Sequence, residues 1–143
     1  MKKKYFFNFF IGISLLAFQM TFSQTTTWTG SAWDNGDPSI TTDAIVSSGI
    51  CNITSNTSFK TITVYADAIL NIDNAATITV QDNIQVLGTG QFILNNNTSL
   101  LQNNSSAVNT GNIKYRRNAT PMRQYEFTYW GAPVTGQVLN VFS

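Results

Sequence analysis

Thr61-Ile62-Thr63-Val64, Ile69-Leu70-Asn71-Ile72 and Thr77-Ile78-Thr79-Val80 decide the fold, because similar bursts return 22 residues later as Ile84-Gln85-Val86, Phe92-Ile93-Leu94 and Ser99-Leu100-Leu101. Each burst alternates apolar and polar residues, the pattern of a strand with one face buried. The shift of 22 places Ile62 on Ile84, Val64 on Val86, Leu70 on Phe92, Ile72 on Leu94 and Ile78 on Leu100, while Val80 falls on Gln102. Five of these six inward candidates stay large and apolar. Three short strands per repeat, joined by turns too short for antiparallel neighbours in a sandwich, describe one rung of a coiled parallel sheet. Rungs would stack about 4.8 Å apart, with Ile62, Val64, Leu70, Ile72, Ile78, Val80, Ile84, Val86, Phe92, Leu94 and Leu100 filling a narrow interior.

Ala44-Ile45-Val46 and Ile50 to Ile53 carry the same character upstream. The expected fold is therefore all-β, a right-handed parallel β-helix, or β-solenoid, over residues 40–108. An antiparallel sandwich is the rival, since it also yields many short strands. Asn95, Asn96, Asn97, Asn103 and Asn104 lie between or just beyond strands. Asparagine tolerates left-handed backbone there and can hydrogen-bond to the next rung.

Residues 24–39 are rich in turn formers, among them Gly30, Asp34, Asn35, Gly36, Asp37 and Pro38, and read as an N-terminal cap. Ahead of them, Lys2, Lys3 and Lys4 precede a mainly apolar run from Tyr5 to Met20, then Thr21 and Ser23. This is the pattern of a secretory signal peptide over residues 1–23, cleaved before Gln24. The run is shorter and more interrupted than the roughly 20 predominantly apolar residues of a spanning helix. Membrane contact is thus expected only through the leader before cleavage, and the mature protein is expected outside the cytoplasm.

After Val108 the composition changes: Lys114, Arg116, Arg117 and Arg123 cluster ahead of Tyr125, Phe127 and Tyr129, which alternate with Glu126 and Thr128. Trp130-Gly131-Ala132-Pro133 then breaks the alternation. Residues 109–143 read as the start of a following β module, cut short.

Hydrophobic residues make up 43% of the chain but charged ones only 10%, against about 25% in average soluble chains. Losing the leader removes three of eight basic residues, leaving five against seven acidic ones and a formal charge of −2. No nucleic-acid footprint remains. With no histidine and one cysteine, Cys51, the chain has no His-based acid–base catalysis, no Ser–His–Asp or Cys–His triad and no intrachain disulfide. Cys51, between Ile50 and Ile53, reads as a small buried apolar side chain.

Thr27-Trp28-Thr29-Gly30 and Trp33-Asp34-Asn35-Gly36-Asp37-Pro38, the short Ile/Val/Asn strands, Arg117-Asn118-Ala119-Thr120-Pro121-Met122 and Tyr125 to Val134 together resemble a known group. They look like the N-terminal region of large secreted or surface proteins of Bacteroidetes, especially flavobacteria, exported by the type IX secretion system. The resemblance covers nearly the whole mature chain and implies adhesin-like proteins with β-solenoid repeats. It implies the secretion machinery as a partner and a place outside the cell, secreted or on the outer face of the outer membrane. The C-terminal sorting domain of that group is missing here, which agrees with a chain cut short.

Catalytic and metal constellations are weak. Asp34-Asn35-Gly36-Asp37 supplies two carboxylates where calcium takes six to eight oxygens, so a capping turn is the simpler assignment. Asp43, Asp67, Asp73 and Asp82 are the only acids of residues 40–108, and the last three fall in successive turns rather than facing each other as a glycosidase requires. Lys60 is the only basic residue there, which disfavours a polysaccharide lyase. No enzyme activity, catalytic residue, cofactor or metal is expected. Arg116, Arg117, Arg123, Tyr125, Tyr129 and Trp130 are the candidate ligand-binding residues, since aromatic faces stack on sugar rings and arginines bind acidic sugars. The same residues would equally serve as the core and rim of a β module. The expected function is a non-catalytic structural or adhesion module that contacts extracellular polysaccharide or cell-surface components. The alternative is a carbohydrate-binding module or a fragment of a β-helical polysaccharide-degrading enzyme.

Overall fold

The computed structural model describes residues 24–118, which form strands and turns with no helix. In chain order the strands are β1 (Gln24–Trp28), β2 (Thr42–Val46), β3 (Ile50–Ile53), β4 (Thr57–Phe59), β5 (Thr61–Val64), β6 (Ile69–Ile72), β7 (Thr77–Val80), β8 (Ile84–Val86), β9 (Gln91–Leu94), β10 (Ser99–Gln102) and β11 (Ile113–Tyr115). They assemble into three sheets, ordered β1-β2-β5-β8, β10-β7-β4 and β11-β9-β6-β3, so that from β2 to β10 every third strand stacks on the one before, with β1 added on β2 and β11 on β9. Every pairing between named strands is parallel. The architecture is a β-solenoid of about four turns, and the antiparallel sandwich is excluded.

The register matches the repeat. Ile62 pairs with Ile84, Val64 with Val86, Leu70 with Phe92, Ile72 with Leu94, Ile78 with Leu100 and Val80 with Gln102. Because side chains alternate along a strand, one parity of each strand points inward. Phe59, Ile62, Val64, Leu70, Ile72, Ile78, Val80, Phe92 and Leu94 have no solvent exposure at all. Burying each such side chain is worth about 1.5–3 kcal/mol, and interior packing between rungs is the dominant cohesion. Leu100, expected inside, is half-buried: β10 is the last strand of its sheet among the described residues, and no described strand covers it from beyond.

Stacking extends past both predicted limits of the solenoid. β1, within the predicted cap, pairs in parallel with β2, and β11, within the predicted C-terminal module, pairs with β9. β1 escaped the periodicity because its inward residue is Thr26, fully buried, whose hydroxyl is satisfied by donating to the Gly36 carbonyl at 2.8 Å. The leader and the Tyr125 to Tyr129 alternation lie outside the described residues.

Tight turns link the strands and use the expected residue types. Amides of Ala68, Ala76 and Thr98 donate to the carbonyls of Tyr65, Asp73 and Asn95 at 3.1–3.2 Å, closing turns in which Asp67, Asn74, Ala75 and Asn97 have φ of 54–64°. Asn and Asp tolerate this left-handed region better than other non-glycine residues. Side chains then tie rung to rung. Asn71 donates to Asn52 at 3.0 Å and Asn95 to Asn71 at 2.8 Å, an amide ladder across three rungs. Asn103 and Asn104 bond to Gln81 and Asp82, each 22 residues earlier, at 3.0 Å. The Asn96 side-chain oxygen accepts from the Asn118 amide at 3.1 Å.

The period is not constant. Ala44 pairs with Ile62, 18 residues on, and Cys51 with Leu70, 19 on, whereas the next rung keeps 22. The difference is spread over the corners: three residues join β2 to β3, three join β3 to β4 and Lys60 alone joins β4 to β5, against four, four and three at the corresponding places one rung later.

Candidate functional site

Of the candidate ligand-binding residues, Arg116 and Arg117 are described and Arg123, Tyr125, Tyr129 and Trp130 lie outside the described residues. Arg117 is engaged within the chain. Its guanidinium donates to the carbonyls of Asn95 at 2.8 Å and Thr98 at 2.7 Å, and lies 4.0 Å from the centre of the Tyr115 ring. Tyr115 in turn donates to the Thr98 carbonyl at 3.2 Å. This planar fork and ring clip the β9–β10 corner. Arg116 is exposed beside it, its backbone amide held by the Leu94 carbonyl at 2.8 Å.

The solenoid carboxylates are likewise engaged within the chain, three of them across rungs. Asp43 pairs with Lys60 at 3.3 Å and accepts from the Thr61 hydroxyl at 2.8 Å. Asp67 accepts from Thr89 at 2.6 Å, Asp73 from the Asn74 amide at 2.8 Å and Asp82 from Asn104 at 3.0 Å. Among the described residues no three His, Cys, Asp or Glu side chains come together as metal ligands. Asp34 accepts from the Thr27 amide at 2.7 Å, and Asn35 donates to the Thr25 carbonyl at 2.9 Å. The segment predicted as a capping turn thus lines the free edge of β1. Cys51 is buried in the core, and burial pushes its thiol from 9.0 up to about 12, so it is a protonated apolar side chain rather than a nucleophile.

A groove of about 660 Å³ opens at the N-terminal end. One wall is the loop bearing Trp33 and Asp37 to Ile40; the other is the end of β3, the turn after it and β4, from Asn52 to Ser58. Trp28 closes it at the end of β1. Trp28 and Trp33 pack edge to face, with ring centres 5.6 Å apart and planes at 67°. Both rings rest on the core but stay partly exposed, so they cover the first rung and also line the groove. The Trp28 indole N–H is the one buried side-chain polar atom without a hydrogen-bond partner among the described residues. Asp37, Thr54 and Ser58 have side chains that make no hydrogen bond to the described residues. By residue type alone the aromatic and arginine cluster downstream is the more conspicuous feature. Two tryptophans five positions apart in a Ser, Gly and Asp turn segment were the available signal for this end.

No curated protein and no solved structure matches the chain. A family model described as Domain of unknown function (DUF8693) matches residues 20–143, which is most of the chain, and the protein therefore belongs to that family.

Proposed function

We propose that this protein is a secreted or cell-surface structural and adhesion module without catalytic activity, a type IX secretion cargo that presents a stiff hydrogen-bonded stack to extracellular polysaccharide or neighbouring surfaces. The observation that supports it most is the use of the solenoid carboxylates. Asp43, Asp67, Asp73 and Asp82 all accept hydrogen bonds from this chain's own groups, three of them across rungs. Acid–base catalysis by a carboxylate pair needs groups held free around a substrate, whereas these groups serve as staples. The parallel stack supplies extended flat sheet faces with hydroxyl and amide side chains such as Thr61, Thr63, Asn71, Thr77 and Thr79 outward, surfaces suited to many weak polar contacts.

The test has two arms. Expression in a flavobacterial host followed by intact mass of the extracellular fraction should show a chain beginning at Gln24. Incubation with neutral and acidic polysaccharides should leave their chain length unchanged. A retained Met1 outside the cell would refute the export route, and depolymerisation would refute the non-catalytic assignment.

A further inference from the structure

We propose that the groove between the Trp33 loop and the β3–β4 turn binds a neutral oligosaccharide, giving the module its contact with glycan. This rests on the surface-contact role above and places the contact at the opposite end from the arginine cluster. The lining combines two indole rings with hydroxyl, amide and carboxyl groups, among them Asn52, Thr54 and Ser58. A pyranose has the matching chemistry, with C–H faces that pack on indole and hydroxyls at its rim that exchange hydrogen bonds. The groove volume of about 660 Å³ falls within the usual range for small-ligand clefts.

Charge selects the ligand class. Among the described residues Asp37 is the only charged one in the lining, and no Lys or Arg joins it there. An acidic sugar or a phosphate would meet a carboxylate and no cation, so a neutral sugar is favoured. The rival occupant is an extended peptide added to the free edge of β3 or β4, the terminal strands of their sheets. The lining argues against it: seven consecutive residues from Asn52 to Ser58 wrap the turn between the two strands, so a ligand crosses the corner rather than running along one edge.

The test is calorimetric titration of the full chain with oligosaccharides of glucose, mannose and xylose, and with oligogalacturonate as the acidic control. Two variants accompany it: Trp33→Ala, which removes a stacking face, and Ser58→Glu, which puts bulk and charge on the opposite wall without touching the core. Saturable binding of at least one neutral oligosaccharide is expected, weakened about tenfold or more in both variants. The Ser58→Glu chain should keep the parent's circular dichroism and melting temperature, so a folding defect in Trp33→Ala would leave the test intact. Neutral-sugar binding unchanged by Ser58→Glu, no saturable neutral binding, or binding confined to oligogalacturonate or to a Thr/Val-rich extended peptide would overturn the proposal. Sugar chain length recovered after titration is measured separately: shortening refutes the non-catalytic role, whereas loss of binding on substitution bears on the groove alone.

Discussion

Replacing Ile78 with alanine should destabilise the protein by about 2 to 5 kcal/mol, while the same change at Ile50 should cost no more than about 0.5 kcal/mol. Both are isoleucines in strands, and they differ in facing. Ile78 is fully buried in β7, the middle strand of its sheet, stacked between Thr57 and Leu100. Ile50 is 53% exposed on β3. Truncating Ile78 removes three carbons worth about 0.8 kcal/mol each in transfer energy, and any void left behind adds about 24 cal/mol per Å³. The void should persist, because the neighbours above and below are fixed by ladder hydrogen bonds and cannot slide in. Urea unfolding of the full chain, followed by far-UV circular dichroism, measures both. Equal losses for the two variants, or a loss below about 1 kcal/mol at Ile78, would refute the parallel register and the interior assigned from it. Ile78→Asp adds an unpaired charge to a dry interior and should abolish folding.

Cys51 should resist alkylation in the folded protein at pH 8 and react once urea unfolds it. Its thiol is raised by burial from 9.0 to about 12, so the folded state holds its proton longer than the unfolded state. The contribution to stability is therefore complete below about pH 9 and is lost as pH rises from there towards 12; Cys51→Ala should remove that part of the alkaline slope seen in urea titrations. Gly90→Ala should lower the melting temperature and cost more than about 1 kcal/mol, since a Cβ there would lie 2.5 Å from the Tyr65 carbonyl oxygen and 3.0 Å from that of Leu87. Asn71→Asp should cost about 1–3 kcal/mol at neutral pH and less in acid, because an ionised carboxylate cannot donate to Asn52 and a protonated one can. A pH-independent loss in denaturant titrations would show that the amide ladder is not what the substitution breaks.

Strand positions and their inward faces were legible wherever the interior residue was apolar and the period held. Over Ile62 to Leu100 both conditions are met, and three strand pairings follow directly from a shift of 22. Ahead of Thr61 the period shortens to 18 or 19 residues, so the self-similarity fades although the stacking does not. Strand β1 was hidden for a different reason: Thr26 fills the inward position, and its polarity is cancelled only by a carbonyl ten residues away in sequence. The turn roles of Asp67 and Asn97 followed from residue type, because left-handed backbone favours those side chains. Arg117 illustrates what composition cannot show. A guanidinium near aromatic residues suits either a ligand or the fold, and only the structure shows that this one bonds to the Asn95 and Thr98 carbonyls. The groove was less legible still, since it joins Trp33 to Ser58 across a corner that no local pattern encodes.

The unequal corners carry a consequence for how such a molecule can vary. One residue turns the chain between β4 and β5, and three do so at the equivalent place one rung later, yet Phe59 lies opposite Val80 before the corner and Ile62 opposite Ile84 after it. Length is thus decoupled from register: residues added at that corner leave the interior alignment untouched, whereas one added inside a strand would reverse the facing of everything after it. The solenoid offers a scaffold on which loops can grow, shrink or be replaced by grafted sequence along one seam, each at the modest entropic cost of a longer surface loop, while the stack beneath keeps its spacing.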